Sequence, residues 1–287
     1  MSMAANEGSS SPPVAQRGPS KELTTRVASA IVLIPVALLT AYLGGWAFAL
    51  FWLAAGIAIL VEWSNMTRIE PQRLVQAVLG AGLAALTVLL LVGAGFWVSV
   101  LTGLAFLLAG TLLARGSRGK VWAASAFFYA VVIVLVPPIV RDHPDLGLLG
   151  LLWMFAVVWA TDIAAYFTGR ALGGPKLWPL VSPKKTWSGF FGGLVAGTLA
   201  GLLVAWGGRQ LDWIHPFSLW STIVLSAVAS VASQLGDLGE SALKRRCDVK
   251  DSSHLIPGHG GVMDRLDGFW AVSLLLGLVL LMLRLAA

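Results

Sequence analysis

The sequence predicts an all-α, polytopic integral membrane protein with about nine transmembrane helices. Three observations carry this expectation. The chain is 57% hydrophobic and 12% charged, with a mean hydropathy of +0.81, far from the balance of a water-soluble domain of 287 residues. Apolar runs long enough to cross a bilayer recur along its whole length. Its cations fall almost entirely on one side of those runs.

The runs lie near 27–43, 46–61, 74–93, 96–113, 121–140, 147–167, 189–206, 218–236 and 269–285. Residues 1–20, rich in Ser, Pro, Gly and Ala, read as a disordered tail. We divide the rest into an N-terminal transmembrane region, 21–143, and a C-terminal transmembrane catalytic region, 144–287. Lys21 and Arg26 before the first run invite a signal-peptide reading, but the run is long and another follows at once, which favours a retained helix. Of the 13 Trp, seven (Trp46, Trp63, Trp122, Trp187, Trp206, Trp220 and Trp270) fall near span ends, where indole rings favour the headgroup level. The single Cys247 excludes an intramolecular disulfide framework and a multi-cysteine zinc site, and it reads as inert.

If nine helices alternate from a cytoplasmic N-terminus, the far side receives only Arg141, Arg209 and Arg284, leaving 17 of the 20 Lys and Arg on the near side. The expected location is therefore the inner (plasma) membrane, with the charged face cytoplasmic. The net charge of +6 follows from this topology, and no nucleic-acid partner is expected. Acidic residues gather on the same face: Glu62, Asp162, Asp237 and Glu240 at span ends, Asp264 and Asp267 where the last span begins. A carboxylate in a span costs roughly 2.5–3.5 kcal/mol on insertion scales, so each suggests a function or a buried partner.

Three segments carry the chemistry. In residues 234–246, QLGDLGESALKRR, helical spacing puts Asp237, Glu240, Ser241 and Lys244 on one face, with Asp248 continuing it. Ordinary i, i+4 pairing would explain Lys244 and Asp248 alone. In residues 250–268, KDSSHLIPGHGGVMDRLDG, Gly258, Gly260 and Gly261 permit positive φ and a close approach, so their amides could form a phosphate nest. Asp264 and Asp267, three apart, offer the hard oxygens that suit Mg²⁺, and Arg265 between them can neutralise phosphate. A flexible connector with a helix N-cap would account for one Asp, but less well for the whole run. In residues 161–189, Asp162 and Tyr166 share a helix face, Arg170 follows, and Lys184 and Lys185 precede a helix opening at Thr186 or Trp187. Such cations attract anionic headgroups, although Lys176 and Arg170 are equally explained as topology-setting charge. Gly193, Gly197 and Gly201 form a small-residue stripe that reads as helix packing. His254 and His259 lack the soft ligands a zinc site needs, and His259 suits a phosphate contact or a loop support.

Residues 241–267, SALKRRCDVKDSSHLIPGHGGVMDRLD, resemble the signature of phosphatidate cytidylyltransferases without departure. SPKKTWSG at 182–189 is similar to the family's second conserved stretch, with Ser188 where an acid or amide is common. The resemblance is strong over 161–268. It implies transfer of the cytidylyl group of CTP to phosphatidic acid, giving CDP-diacylglycerol and pyrophosphate, with Mg²⁺ and a second cation considered beside it. It implies metal ligation by Asp237 and Asp264, joined by Asp267 and Asp162. It also implies phosphate contacts from Lys244, Arg245, Lys250, Arg265 and His259. Ser182, Lys184 and Lys185 would wall the headgroup or nucleotide, with Ser241, Gly260 and Gly261 completing the substrate site. Besides CTP, phosphatidic acid and the bilayer, a homodimer is the partner considered.

A transporter or flippase is the rival reading, opposed by polar residues at one face rather than at the midplane and by the lack of an inverted repeat. An alcohol phosphotransferase is opposed by the missing DG-x2-AR pattern.

Overall fold

The structure is a computed structural model that describes residues 21–211, 218–258 and 260–286, with 21–30 and 286 described for their backbone course only. The expected tail at 1–20 and His259 lie outside the described residues. Among the described residues nine helices follow in order: α1 (Lys21–Leu43), α2 (Gly45–Thr67), α3 (Gln72–Leu91), α4 (Phe96–Leu113), α5 (Gly116–Asp142), α6 (Gly147–Leu172), α7 (Trp187–Gln210), α8 (Leu219–Arg246) and α9 (Met263–Ala286). Among the described residues, eight are long and apolar enough to cross a membrane, and the described apolar part of α1 is the shorter stretch Ile31–Leu43. A helix satisfies its own backbone in lipid, so continuous apolar runs become helices with short links.

The alternation inferred from charge is visible in the contacts. At one end of the bundle Arg141 of α5 donates from Nε to Ala41 O (2.6 Å) and from Nη2 to Tyr42 O (3.1 Å), capping α1. Arg284 at the end of α9 lies 4.6 Å from the ring centre of Phe96 at the start of α4. At the opposite end Arg115 N donates to Glu70 O (2.8 Å), joining the α4–α5 link to the α2–α3 link. Two of the three cations assigned to the far side therefore lie at the end of the bundle away from Glu62, Asp237 and Asp264.

The core is built from α2, α5, α6 and α9. Trp52 of α2 stacks on Phe269 of α9 (5.0 Å), which stacks in turn on Phe155 of α6 (5.2 Å). Helix α7 seats against α6 and α8 along the glycine stripe, as its spacing predicts. A Cβ at Gly197 would stand 2.2 Å from Thr161 Oγ1, and one at Gly201 2.2 Å from Ser226 Oγ. That approach lets hydroxyls bond between helices: Thr161 Oγ1 to Ser230 Oγ (2.8 Å) and Trp153 Nε1 to Ser226 Oγ (3.0 Å). Such bonds contribute about 0.6 kcal/mol each on average in a bilayer, so the packing carries most of the association.

Two features depart from the sequence reading. A small antiparallel hairpin, β1 (Lys176–Trp178) and β2 (Ser182–Thr186), interrupts the all-α pattern, pairing Lys176 with Thr186 and Trp178 with Ser182. Segments this short, with Pro179 and Pro183 between and within them, carry no strand signal. The second departure is at α8, which stops at Arg246; Asp248 has φ +56° and so does not continue the charged face. With 28 residues α8 is about 42 Å long, longer than a ~30 Å hydrocarbon core. The polar C-terminal end of α8 therefore reaches beyond the core.

Candidate active site

The site is built where α2 and α8 end, α9 begins and the hairpin crosses. Glu62, in the penultimate turn of α2, is 2% exposed and accepts three hydrogen bonds from the α8–α9 loop and the start of α9, with a fourth donor in reach. Its Oε1 receives Ser253 Oγ (2.6 Å) and Val262 N (2.8 Å); its Oε2 receives Met263 N (2.8 Å) and lies 3.2 Å from Ser252 Oγ. The amides of Val262 and Met263 are donors that the start of α9 cannot satisfy within its own helix, and they favour a negative charge. Glu62 thus caps α9 from a distant helix.

Asp264 closes the same loop from inside. Its Oδ1 accepts Lys244 Nζ (2.7 Å), and its Oδ2 accepts Ser252 N (2.9 Å) and Gly261 N (2.8 Å), with Ser252 Oγ at 3.0 Å. The single Ser252 hydroxyl proton serves Glu62 or Asp264 at any one time. Lys244 Nζ also stands 3.3 Å from Glu240 Oε1. Gly260 takes φ +87°, and a Cβ on Gly261 would stand 1.9 Å from Ser252 Oγ and 2.7 Å from Glu62 Oε1. The glycines do what their sequence pattern requires, positive φ and close approach. Yet the anions cradled by Gly261, Val262 and Met263 are the protein's own carboxylates.

The other side of the site is open. Asp237, with a side chain 35% exposed, pairs with Lys185 of β2, 27% exposed, and Ser241 Oγ stands 3.5 Å from Asp237 Oδ1. Asp267 Oδ1 accepts the amide of Gly268 (2.7 Å) and lies in the field of Asp237, Glu240 and Lys185. Asp162, exposed on α6, feels the charges of Asp267, Asp237, Lys185 and Arg265. Helix α7 opens at Trp187, one of the two starts expected; Thr186 caps it, its Oγ1 accepting Gly189 N (3.1 Å), and so positions Lys185, while Ser188 Oγ donates to Gly173 O at the end of α6.

The predicted site residues therefore divide. Asp237, Asp264, Asp267, Asp162, Lys244, Lys185 and Ser241 converge, with Arg265 exposed in the same field. Gly260 and Gly261 lie in the loop beneath. Lys184 and Ser182 share strand β2, Lys184 exposed and Ser182 half-buried. Arg245 bonds Val249 O (3.3 Å) at the end of α8 and stays exposed, and Lys250 is exposed with no hydrogen bond or ion pair to the described residues. Arg170 donates to Tyr166 Oη (2.9 Å), a local pair in keeping with topology-setting charge. Partial burial pushes the Cys247 thiol up, leaving little thiolate and supporting the inert reading. Sequence reasoning flagged Glu62 as needing a partner but gave it no place in the site, and it gave Ser252 and Ser253 no role.

The carboxylate-rich, hard-oxygen donor set fits a divalent cation. Among the described residues no three acids stand close enough to chelate one by themselves. An ion held here would thus complete its shell with phosphate oxygens and water, as Mg²⁺ usually does. Asp264 already spends both oxygens on Lys244 and the loop, and Asp267 is engaged with the Gly268 amide and Glu240, so Asp237 and Asp162 are the more available ligands.

Fold and site together define a polytopic membrane protein with an acidic and cationic cluster at one end of its helices. The cytidylyltransferase family model matches residues 24–283, and the chain belongs to that family. Among curated relatives, a phosphatidate cytidylyltransferase of Brucella suis biovar 1 (strain 1330) is 41% identical over 257 residues, covering 88% of this chain and 92% of its own. One of Staphylococcus epidermidis (strain ATCC 35984) is 32% identical over 265 residues, covering 90% and 99%. One of Staphylococcus saprophyticus subsp. saprophyticus is 33% identical over 263 residues, covering 90% and 97%.

Proposed function

We propose that the protein transfers the cytidylyl group of CTP to phosphatidic acid, giving CDP-diacylglycerol and pyrophosphate. The observation that carries this reading is the half-exposed Asp237–Lys185 pair beside Asp162 and Asp267, an opening in which charges can be exchanged for substrate and ion. A phosphate oxygen of the lipid attacks the α-phosphorus of CTP, a P–O bond forms, and the bond to the β-phosphate oxygen breaks with pyrophosphate leaving. The lipid phosphate is already anionic at neutral pH, so no general base is needed, and positioning with charge neutralisation supplies the acceleration. Lys185 would meet phosphate oxygens as Asp237 turns toward a cation, with Lys244 held behind it on Asp264. Arg265, Lys184 and Ser182 would line the approach. Asp237, with Asp162 or Asp267 across the opening, would hold Mg²⁺ together with phosphate oxygens and water, and the ion would supply charge neutralisation at the triphosphate.

We place the site on the cytoplasmic side of the inner membrane, because 17 of the 20 cations fall on that side of the alternating helices. A cysteine at exposed Asp251 in a Cys247→Ser background should take an impermeant maleimide in inside-out but not right-side-out vesicles; the opposite pattern would invert the topology. The activity is tested on detergent-solubilised protein. Pyrophosphate should appear only when CTP, phosphatidic acid and Mg²⁺ are all present, whereas a transporter without two compartments would make no product.

A further inference from the structure

A cavity of about 980 Å³ opens between α2, α5, α8 and α9 beside the hairpin, on the face of α8 turned away from α7. Its wall is aromatic: Trp63 lies 5.4 Å from Tyr129, and Tyr129 stacks on Trp270 at 4.4 Å. Two of these rings carry buried polar atoms with no partner, Trp63 Nε1 and Tyr129 Oη, each residue being only 7% exposed. Trp270 differs, since its Nε1 donates to Tyr129 O (3.1 Å). A buried donor without an acceptor is costly, so two in one cavity wall point to acceptors delivered by a ligand. An indole N–H can only donate, which argues against a cationic headgroup in this aromatic box.

Chemistry and position narrow the ligand. Trp63 follows Glu62 directly, and Glu240 and Arg246 line the same cavity, so one end adjoins the acid and cation cluster. From Trp270 the wall continues along α9 to Leu274 and Leu278, about 12 Å deeper and wholly apolar. A molecule that is anionic at one end, bears neutral carbonyl acceptors next and is apolar beyond is a diacyl glycerophosphate. We infer that this cavity receives the glycerol-ester segment and one acyl chain of the lipid substrate, with Trp63 Nε1 and Tyr129 Oη donating to ester carbonyls. The inference rests on the proposed function and adds to it two residues that set specificity for ester-linked lipid.

The test compares diacyl phosphatidic acid with its dialkyl ether analogue of equal chain length, for the wild type, Trp63→Phe and Tyr129→Phe. Ether lipids keep the phosphate and chains but lose the carbonyls. The wild type should show a KM about tenfold lower for the diacyl lipid, the worth of two hydrogen bonds. Each Phe variant should narrow that ratio severalfold while leaving KM for CTP unchanged. Equal KM values for the two lipids in the wild type, or variants that weaken both lipids by one factor, would overturn the assignment. Displacement of a fluorescent diacyl phosphatidic acid without CTP separates the two readings. Ester-selective binding with no cytidylyl transfer would sink the proposed function and leave the subsite standing; transfer without ester preference would do the reverse. Displacement by phosphatidylcholine as effective as by phosphatidic acid would show a general membrane lipid in the cavity and overturn the substrate assignment.

Discussion

Asp264 and Asp237 lie on neighbouring helices in one site, yet the regions around them are opposites. Around Asp264 the α8–α9 loop is closed, every carboxylate oxygen of Glu62 and Asp264 being met by protein donors. Around Asp237 the wall is open, with one cation from a hairpin and one long contact from Ser241. Internal counter-charges make the first region a scaffold, while their scarcity leaves the second free to exchange partners. Acidic and glycine-rich sequence alone does not separate these roles, since both regions offer the same residue types.

The largest expected effect separates the two regions directly. Asp237→Ala should lower kcat on the order of 10²-fold or more. Its thermal unfolding in detergent should barely change, because a half-exposed ion pair contributes only about 0–1 kcal/mol. Asp264→Ala should lose both activity and stability, since Lys244 and the loop amides would be left without an acceptor. Equal melting of the two variants would erase the distinction between scaffold and open wall.

Glu62→Ala comes next. It strands two amides and the Ser253 hydroxyl in a buried site, each costing about 1–3 kcal/mol when nothing replaces the acceptor, while Ser252 can still turn to Asp264. Limited proteolysis should then cut the loop between α8 and α9 well before the wild type is cut, and turnover should fall with it. Glu62→Gln, which keeps the shape and one good acceptor, should fall between the two. A wild-type loop in Glu62→Ala would mean that Asp264 alone holds it.

Much of this architecture was legible in the chain. Continuous apolar runs announce helices because lipid leaves the backbone no other solution, and the Gly193, Gly197 and Gly201 stripe announces the α7 contact. The loop was legible through its glycines, whose φ and proximity requirements are local. Glu62 was half legible: its burial in a span demands a partner, but Ser252 lies 190 positions away and nothing local names it. The hairpin was invisible because its strands are three and five residues long and one contains Pro183. The α8 face was read one turn too far, to Asp248, because helical spacing says which residues align but not where the helix stops.

Gly261→Ala probes the closed region with a single methyl group. The new Cβ would meet Ser252 Oγ and both Glu62 oxygens, so the loop has to shift, at about 1–3 kcal/mol as for other overpacked sites. The expected result is a lower melting temperature with a KM for CTP that changes less than kcat, because Lys185 and Asp237 are not displaced.

The smallest effects should come from Lys250 and Arg245, which match the family pattern but stand outside the converged cluster. Lys250 is exposed without an ion pair to the described residues, and Arg245 is engaged with Val249 O at the end of its own helix. An exposed cation near anionic lipid contributes about 1 kcal/mol of attraction, screened by salt. Lys250→Ala should therefore raise the apparent KM severalfold at low salt and lose that difference in high salt, with kcat held. A salt-independent loss of kcat as large as that of Asp237→Ala would instead bring Lys250 to the reacting phosphates and extend the open region across the loop.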